Sequence, residues 1–281
     1  FSIPNISNRD INLVGKIIRS GWLTHGKYTS LFENEIKKFT KAKYAISVSS
    51  CTAGLHISCL AAGFKKGDEV IIPAQTHTAT AHAVEYTGAK AIFSDVDYPS
   101  GNISLIDLKR KVTKKTKGLI VVHMAGYPCD MKKIMAFCKK NKIQVLEDCA
   151  HAMGSFYKGV HVGNFGVSGS FSFYPTKQIT TGEGGTVITN DKKFYNKIKI
   201  MMNNFVKHSI IRFVTKELTT IIDDTKSSTY NFTKVKTNFS DDSFNITRVD
   251  GMFEGSLHML IHRIMYLEKH YLRFLDSEMM N

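Results

Sequence analysis

The sequence predicts an α/β fold built on a mostly parallel, doubly wound sheet, and three observations carry that expectation. From Tyr44 onward, short apolar runs alternate with helix-periodic segments at the spacing of βαβ units. The 281 residues suffice for a large core, and contents of 43% hydrophobic and 22% charged are ordinary for a globular chain. No apolar run reaches bilayer length, since Gly118-Leu-Ile-Val-Val122 is strand-sized.

Taken in order, Ile11, Leu13, Val14, Ile17 and Ile18 place a helical stripe over residues 8–20, ending near Gly21. A second helix is expected over 28–40, with Leu31, Phe32, Ile36 and Phe39 on one face. A strand over 44–48 opens into Ser49-Ser-Cys-Thr-Ala-Gly54, and a helix is expected over 55–62. Such a strand, loop and helix start bring free N–H groups and the helix dipole together, so the loop reads as an anion site or as an ordinary capped turn. Strand 69–73, a helix through 86, strand 90–95, helix 105–112, strand 118–123, helix 130–141 and strand 144–146 follow. Ligands of such sheets sit at the carboxyl ends of the strands. Glu147-Asp148-Cys-Ala-His151 stands at one such end, where Asp148 reads as a solvated loop acid or as a buried partner for a cationic ring nitrogen.

The stretch Ser170-Phe-Ser-Phe-Tyr-Pro-Thr-Lys177-Gln-Ile-Thr-Thr-Gly-Glu-Gly-Gly185 carries the most chemistry. A strand over 170–174 runs into Pro175 and a single lysine, followed by a glycine-rich turn and a strand over 186–189. Other lysines cluster in solvated pairs such as Lys114-Lys115, whereas Lys177 lies between a buried strand and a tight turn. Desolvation favours the neutral amine, which is the form that condenses with a carbonyl. By itself the stretch equally describes a lysine at a loop mouth. A lysine-rich helix is expected over 191–202, an irregular insertion over 207–244, and helix again from Gly251. His258 and His262 are spaced i and i+4, but with no glutamate of an H-E-x-x-H motif they read as a helix-face pair, not a metal site.

Composition excludes several classes. The net charge of +14 comes mostly from dispersed lysines, with no basic stripe interleaved with aromatics, so no nucleic-acid partner is expected. Five cysteines, odd in number and without a C-x-x-C pair, predict reduced thiols and a cytoplasmic protein. The start, Phe1-Ser-Ile-Pro, lacks the features of a signal peptide, and no membrane segment is expected.

In register over most of the chain, the residues resemble the DegT/DnrJ/EryC1/StrS family of pyridoxal-phosphate-dependent sugar aminotransferases, fold type I. The resemblance rests on Gly21-Trp-Leu-Thr-His-Gly26, Ser49-Ser-Cys-Thr-Ala-Gly-Leu55, Pro73-Ala-Gln-Thr-His-Thr-Ala-Thr80, Glu147-Asp-Cys-Ala-His-Ala-Met-Gly154 and the Lys177 stretch. It implies a pyridoxal 5′-phosphate cofactor covalently held by Lys177, with Asp148 facing the pyridine nitrogen. Ser172, Cys51 and Thr52 would bind the phosphate, His77 would stack on the ring, and His151 would lie near the phenolic oxygen. Asn245 would reach the phosphate of a partner subunit in a homodimer. Many members have Gln at the place of His151 and Gly at that of Cys51. The implied reaction moves an amino group from L-glutamate to a nucleotide-linked keto-deoxyhexose for cell-surface glycan synthesis. Two rivals are a sugar dehydratase of the same family, which would carry His where Lys177 stands, and a non-catalytic or cofactor-binding-only member on the same scaffold. The second rests on the chain ending at Asn281, which leaves residues 1–245 as the large domain and 246–281 as the start of a truncated small one.

Overall fold

The computed structural model describes residues 4–202, 238–240 and 243–245. Helix α1 (Asn8–Arg19) is written by local signals, with Ser7 and Asp10 forming a reciprocal capping box. Its apolar stripe is not packed among the described residues: Ile11, Val14 and Ile18 are each more than half exposed. Helix α2 (Lys27–Thr40) buries Ile36 and leads to β1 (Tyr44–Val48). Then come α3 (Cys51–Ala62), β2 (Glu69–Pro73), α4 (Thr78–Glu85) and β3 (Lys90–Ser94). The short pair β4 (Val96–Asp97) and β5 (Asn102–Ile103) precedes α5 (Leu105–Lys111), β6 (Thr116–Val122), α6 (Met131–Asn141) and β7 (Gln144–Asp148). A second short pair, β8 (Phe156–Tyr157) and β9 (Val160–His161), leads to β10 (Ser168–Ser172), β11 (Gly185–Thr189) and a helix α7 over 192–202.

Seven strands form one sheet in the order β1-β11-β10-β7-β6-β2-β3. All pairings from β10 to β3 are parallel, and β11 alone runs antiparallel between β1 and β10. Side chains alternate between two cores, as the two-residue period of a strand requires. Val70, Ile72, Ile120 and Leu146 join Leu55, Phe194 and Ile198 of α3 and α7 on one face. Ile71, Leu119, Val121 and Val145 join Leu108, Met131 and Ile134 of α5 and α6 on the other.

Several boundaries differ from those expected. Helix α3 begins at Cys51 and not Leu55, because the Ser50 hydroxyl accepts the Ala53 N–H at 3.1 Å and caps the helix four residues earlier. Strand β10 covers Ser168–Ser172 and not 170–174. Its partner β7 ends at Asp148, opposite Ser170, and β11 begins opposite Ser172, so no ladder remains for Tyr174. At the end of the stretch 207–244 expected to be irregular, β12 (Asn238–Ser240) and β13 (Ser243–Asn245) pair antiparallel. The helix expected from Gly251, with His258 and His262, lies outside the described residues.

Candidate active site

The carboxyl ends of the parallel strands β1, β2, β6, β7 and β10 converge on one cavity of about 360 Å³, inside the ~300–1,000 Å³ range of small-molecule sites. Every expected site residue among the described side chains lines it: Cys51 and Thr52 after β1, His77 after β2, Asp148 and His151 at the end of β7, Ser172 and Lys177 from β10 onward. Asn245 lies in β13, in the second of the chain's two units, and its side chain is outside the described set.

Asp148 is 4% exposed and is held from three sides. Its Oδ1 accepts the Ala150 N–H at 3.1 Å and lies 3.8 Å from the Cys51 thiol. Its Oδ2 accepts the Thr80 hydroxyl at 2.8 Å. The Cys51 thiol, also 3.4 Å from the Ser170 carbonyl, points at the carboxylate, so what Cys51 offers an anion is its N–H. Burial, reinforced by the charge of Asp148, pushes that thiol well above its ordinary pKa. At the start of α3, Ala53 and Gly54 bond back to Ser50, while the N–H groups of Cys51 and Thr52 have no acceptor among the described residues. Gly185 packs directly against this turn: a Cβ there would fall 2.5 Å from the Ser50 carbonyl carbon and 2.7 Å from the Cys51 nitrogen.

His77 caps α4, its Nδ1 accepting the Ala79 N–H at 3.1 Å, which fixes the ring's orientation at the cavity wall. Lys177 is half-buried in a turn closed by its own N–H to the Tyr174 carbonyl at 2.9 Å. His151 stands at the rim, and partial burial, followed by the positive charge of Lys177, lowers its pKa. The Gln178 amide bonds the His151 carbonyl, tying the Lys177 turn to the end of β7. Gly126 (φ +84°) approaches the same carbonyl so closely that a Cβ would lie 2.7 Å from it.

Beneath the cavity floor, Glu147 is wholly buried and fully engaged. Oε1 accepts the N–H of Phe165 (2.8 Å) and Gly166 (2.6 Å); Oε2 accepts that of Gly163 (2.7 Å) and faces His123 Nε2 at 3.0 Å. Since His123 Nδ1 accepts the Cys129 N–H, the ring's proton sits on Nε2 and points at Glu147. His123, Glu147 and Cys149 group closely enough for a metal, but these hydrogen bonds already account for the histidine and the carboxylate. Thr80, Ser50 and the structural role of Glu147 were not foreseen. Thr80 had a signal: it shares the buried stripe of α4 with Ala83 and Val84, and a hydroxyl there must find a partner.

These groups fit pyridoxal 5′-phosphate. Two N–H groups at a helix start without an acceptor among the described residues and the Ser172 hydroxyl suit a phosphate, a buried carboxylate suits a protonated ring nitrogen, and the half-buried amine of Lys177 suits a carbonyl. A sheet of this order with such a cavity has the fold of the fold type I pyridoxal-phosphate-dependent proteins.

The comparisons agree. The profile of the DegT/DnrJ/EryC1/StrS aminotransferase family matches residues 4–226, and the chain belongs to that family. It is 43% identical over 195 residues to the GDP-perosamine synthase of Escherichia coli O157:H7, covering 69% of this chain and 54% of that protein. The crystal structure of an aminotransferase from Psychrobacter cryohalolentis matches with a TM-score of 0.69 at 38% identity, over 70% of this chain and 51% of that one. A Streptococcus pneumoniae protein solved in PLP and PMP forms matches with a TM-score of 0.67, over 71% of this chain and 56% of that one; identity is 31%. The chain spans about half the length of the relatives it matches.

Proposed function

We propose that this chain carries the cofactor site of an aminotransferase that takes the amino group of L-glutamate and delivers it to a nucleotide-linked keto-deoxyhexose, as a step in cell-surface glycan synthesis. The observation that carries the reading is the meeting of Lys177, Asp148 and the amide-bearing start of α3 in one cavity. Bound pyridoxal 5′-phosphate supplies the electron-withdrawing ring and carbonyl that let an amino group move between carbon skeletons. The N–H groups of Cys51 and Thr52 and the Ser172 hydroxyl bind the phosphate, assisted by the dipole of α3. Asp148, its carboxylate held still by Thr80 and Ala150, would accept from the ring nitrogen. His77 would cover one face of the ring. Lys177 would hold the cofactor's carbonyl carbon through its amine and would hold and return the proton at the reacting carbon.

The nucleotide-linked acceptor is supported by the relative named for GDP-perosamine synthesis. A second subunit contributing Asn245 completes the phosphate site in this reading. Five buried thiols without a disulfide suit the reducing cytoplasm.

The test has two arms. Lys177→Ala is expected to lose the visible absorbance band of the bound cofactor together with turnover; retention of either removes Lys177 from its role. Incubation with glutamate and a panel of nucleotide-4-ketohexoses, read by mass spectrometry, is expected to give one aminated nucleotide sugar. A cofactor band that glutamate shifts, with no aminated sugar from any acceptor, would leave cofactor binding standing and overturn the substrate class.

A further inference from the structure

We infer that Thr80 is a positioning residue of the cofactor site, acting through Asp148 without touching the cofactor. The inference rests on the reading of Asp148 as the ring-nitrogen partner. Thr80 is wholly buried on α4 and does not line the cavity. Its single hydroxyl proton goes to Asp148 Oδ2 at 2.8 Å. The 2.7 Å contact between the Thr80 and Thr76 hydroxyls is therefore donated by Thr76, and the two threonines form a directed chain, Thr76 to Thr80 to Asp148.

The other contacts of Asp148 leave this job undone. The Ala150 N–H and the Cys51 thiol both approach Oδ1, so Thr80 is the one described hydrogen-bond donor to Oδ2. Two oxygens bonded on different sides fix the carboxylate's rotation about its Cα–Cβ and Cβ–Cγ bonds, which an Oδ1 anchor alone does not. Thr76 and Thr80 also flank His77 at the start of the same helix. One helix start thereby sets both the imidazole at the cavity wall and the orientation of the acid at its floor. A methyl-for-hydroxyl change at Thr80 leaves this packing nearly intact and removes the hydroxyl's bonds to Asp148 and Thr76, while Thr80→Ser keeps both and removes the methyl group.

The test uses the full chain, freed of cofactor and titrated with pyridoxal 5′-phosphate. Thr80→Val is expected to weaken cofactor binding about tenfold or more, as loss of a hydrogen bond to a charged group does. It is also expected to move the pH midpoint of the cofactor's visible band upward by about half a unit, because a less firmly held carboxylate leaves less positive charge on the ring. Thr80→Ser should restore both to within about twofold of the parent, since the hydroxyl is retained. Thr76→Val, which keeps the Thr80–Asp148 bond, should move the midpoint the same way by less. The neighbouring titratable groups, Lys177, His151, His77, Cys51 and Glu147, are unchanged in every variant. A Thr80→Val protein with unchanged midpoint and affinity overturns the proposal, as does a Thr80→Ser protein that loses as much as Thr80→Val. Should Thr80→Val fail to fold, Thr80→Ala is read in its place, and an unmoved midpoint and affinity there overturn the proposal. If the parent chain forms no visible band, the cofactor reading fails with it; a band in the parent that Thr80 variants leave untouched sinks only the role of Thr80.

Discussion

Glu147 and Asp148 are neighbours in sequence and opposites in use. Alternation along β7 sends one carboxylate into the packing between the sheet and the 163–166 turn and the other toward the cavity. Glu147 is wholly buried without a cation, and it is tolerated because three backbone N–H groups and the His123 ring satisfy its oxygens. Removing it orphans all four donors at once. Glu147→Ala is expected to cost about 3 kcal/mol or more, since each buried unsatisfied donor costs ~1–3 kcal/mol; urea unfolding measures it. Glu147→Gln keeps two acceptor contacts and turns an NH₂ group against the others, so its loss should be smaller than that of Glu147→Ala but still measurable. A stability change below about 1 kcal/mol for Glu147→Ala would mean that water replaces the carboxylate, and the picture of a sealed clamp would fail.

At the scale of elements, the start of α3 is set by what leans on it. Ser50 caps the helix, and β11 arrives so close that its first residue has room only for a hydrogen. A side chain at Gly185 must push the α3 turn away, and its contacts are backbone atoms that cannot rotate aside. Gly185→Ala is expected to weaken binding of pyridoxal 5′-phosphate by at least about tenfold, because the N–H groups of Cys51 and Thr52, assigned to the phosphate in the proposed function, would move together. Titration of the visible band reads this directly, and the phosphate-free analogue pyridoxal serves as the control. If the variant weakens pyridoxal as much as the phosphate ester, the effect is not on the anion site. Helix α1 is the contrasting case, formed by its capping box and left without buried residues.

At the scale of the whole molecule, the sheet order brings five strand ends to one edge, and its histidines tie stability to pH. Burial lowers the pKa of His56, His151 and His161, with the charge of Lys177 adding to the effect at His151. A histidine whose folded pKa lies below its unfolded value of about 6.5 binds its proton first in the unfolded chain. Stability is therefore full above that value and falls as pH drops through it toward the depressed folded values. The urea midpoint at about pH 5.5 is expected to lie below that at about pH 7.5. Equal midpoints would show that these rings gain compensating partners when charged.

Much was legible before any coordinates. The alternation of strands and helices, and the placing of Lys177 and Asp148 at strand ends of the sheet, follow from periodicity, turn residues and the family's motifs, all of which are local in sequence. Of the boundaries that differ, β10 stops at Ser172 because its neighbours' ladder stops there, a non-local cause, while α3 starts at Cys51 because of a local cap at Ser50 that the apolar periodicity alone does not reveal. Thr80 stands within a motif whose residues alone assign it no role, since its partner Asp148 lies 68 positions away. Which way the Cys51 thiol points, which carboxylate faces the cavity, and why Gly185 admits no side chain are likewise contacts across long separations. The sequence by itself determined the elements and the chemical groups at their ends. Only the tertiary structure decided which of those groups hold one another, because a hydrogen bond depends on direction and a few ångströms that chain order does not record.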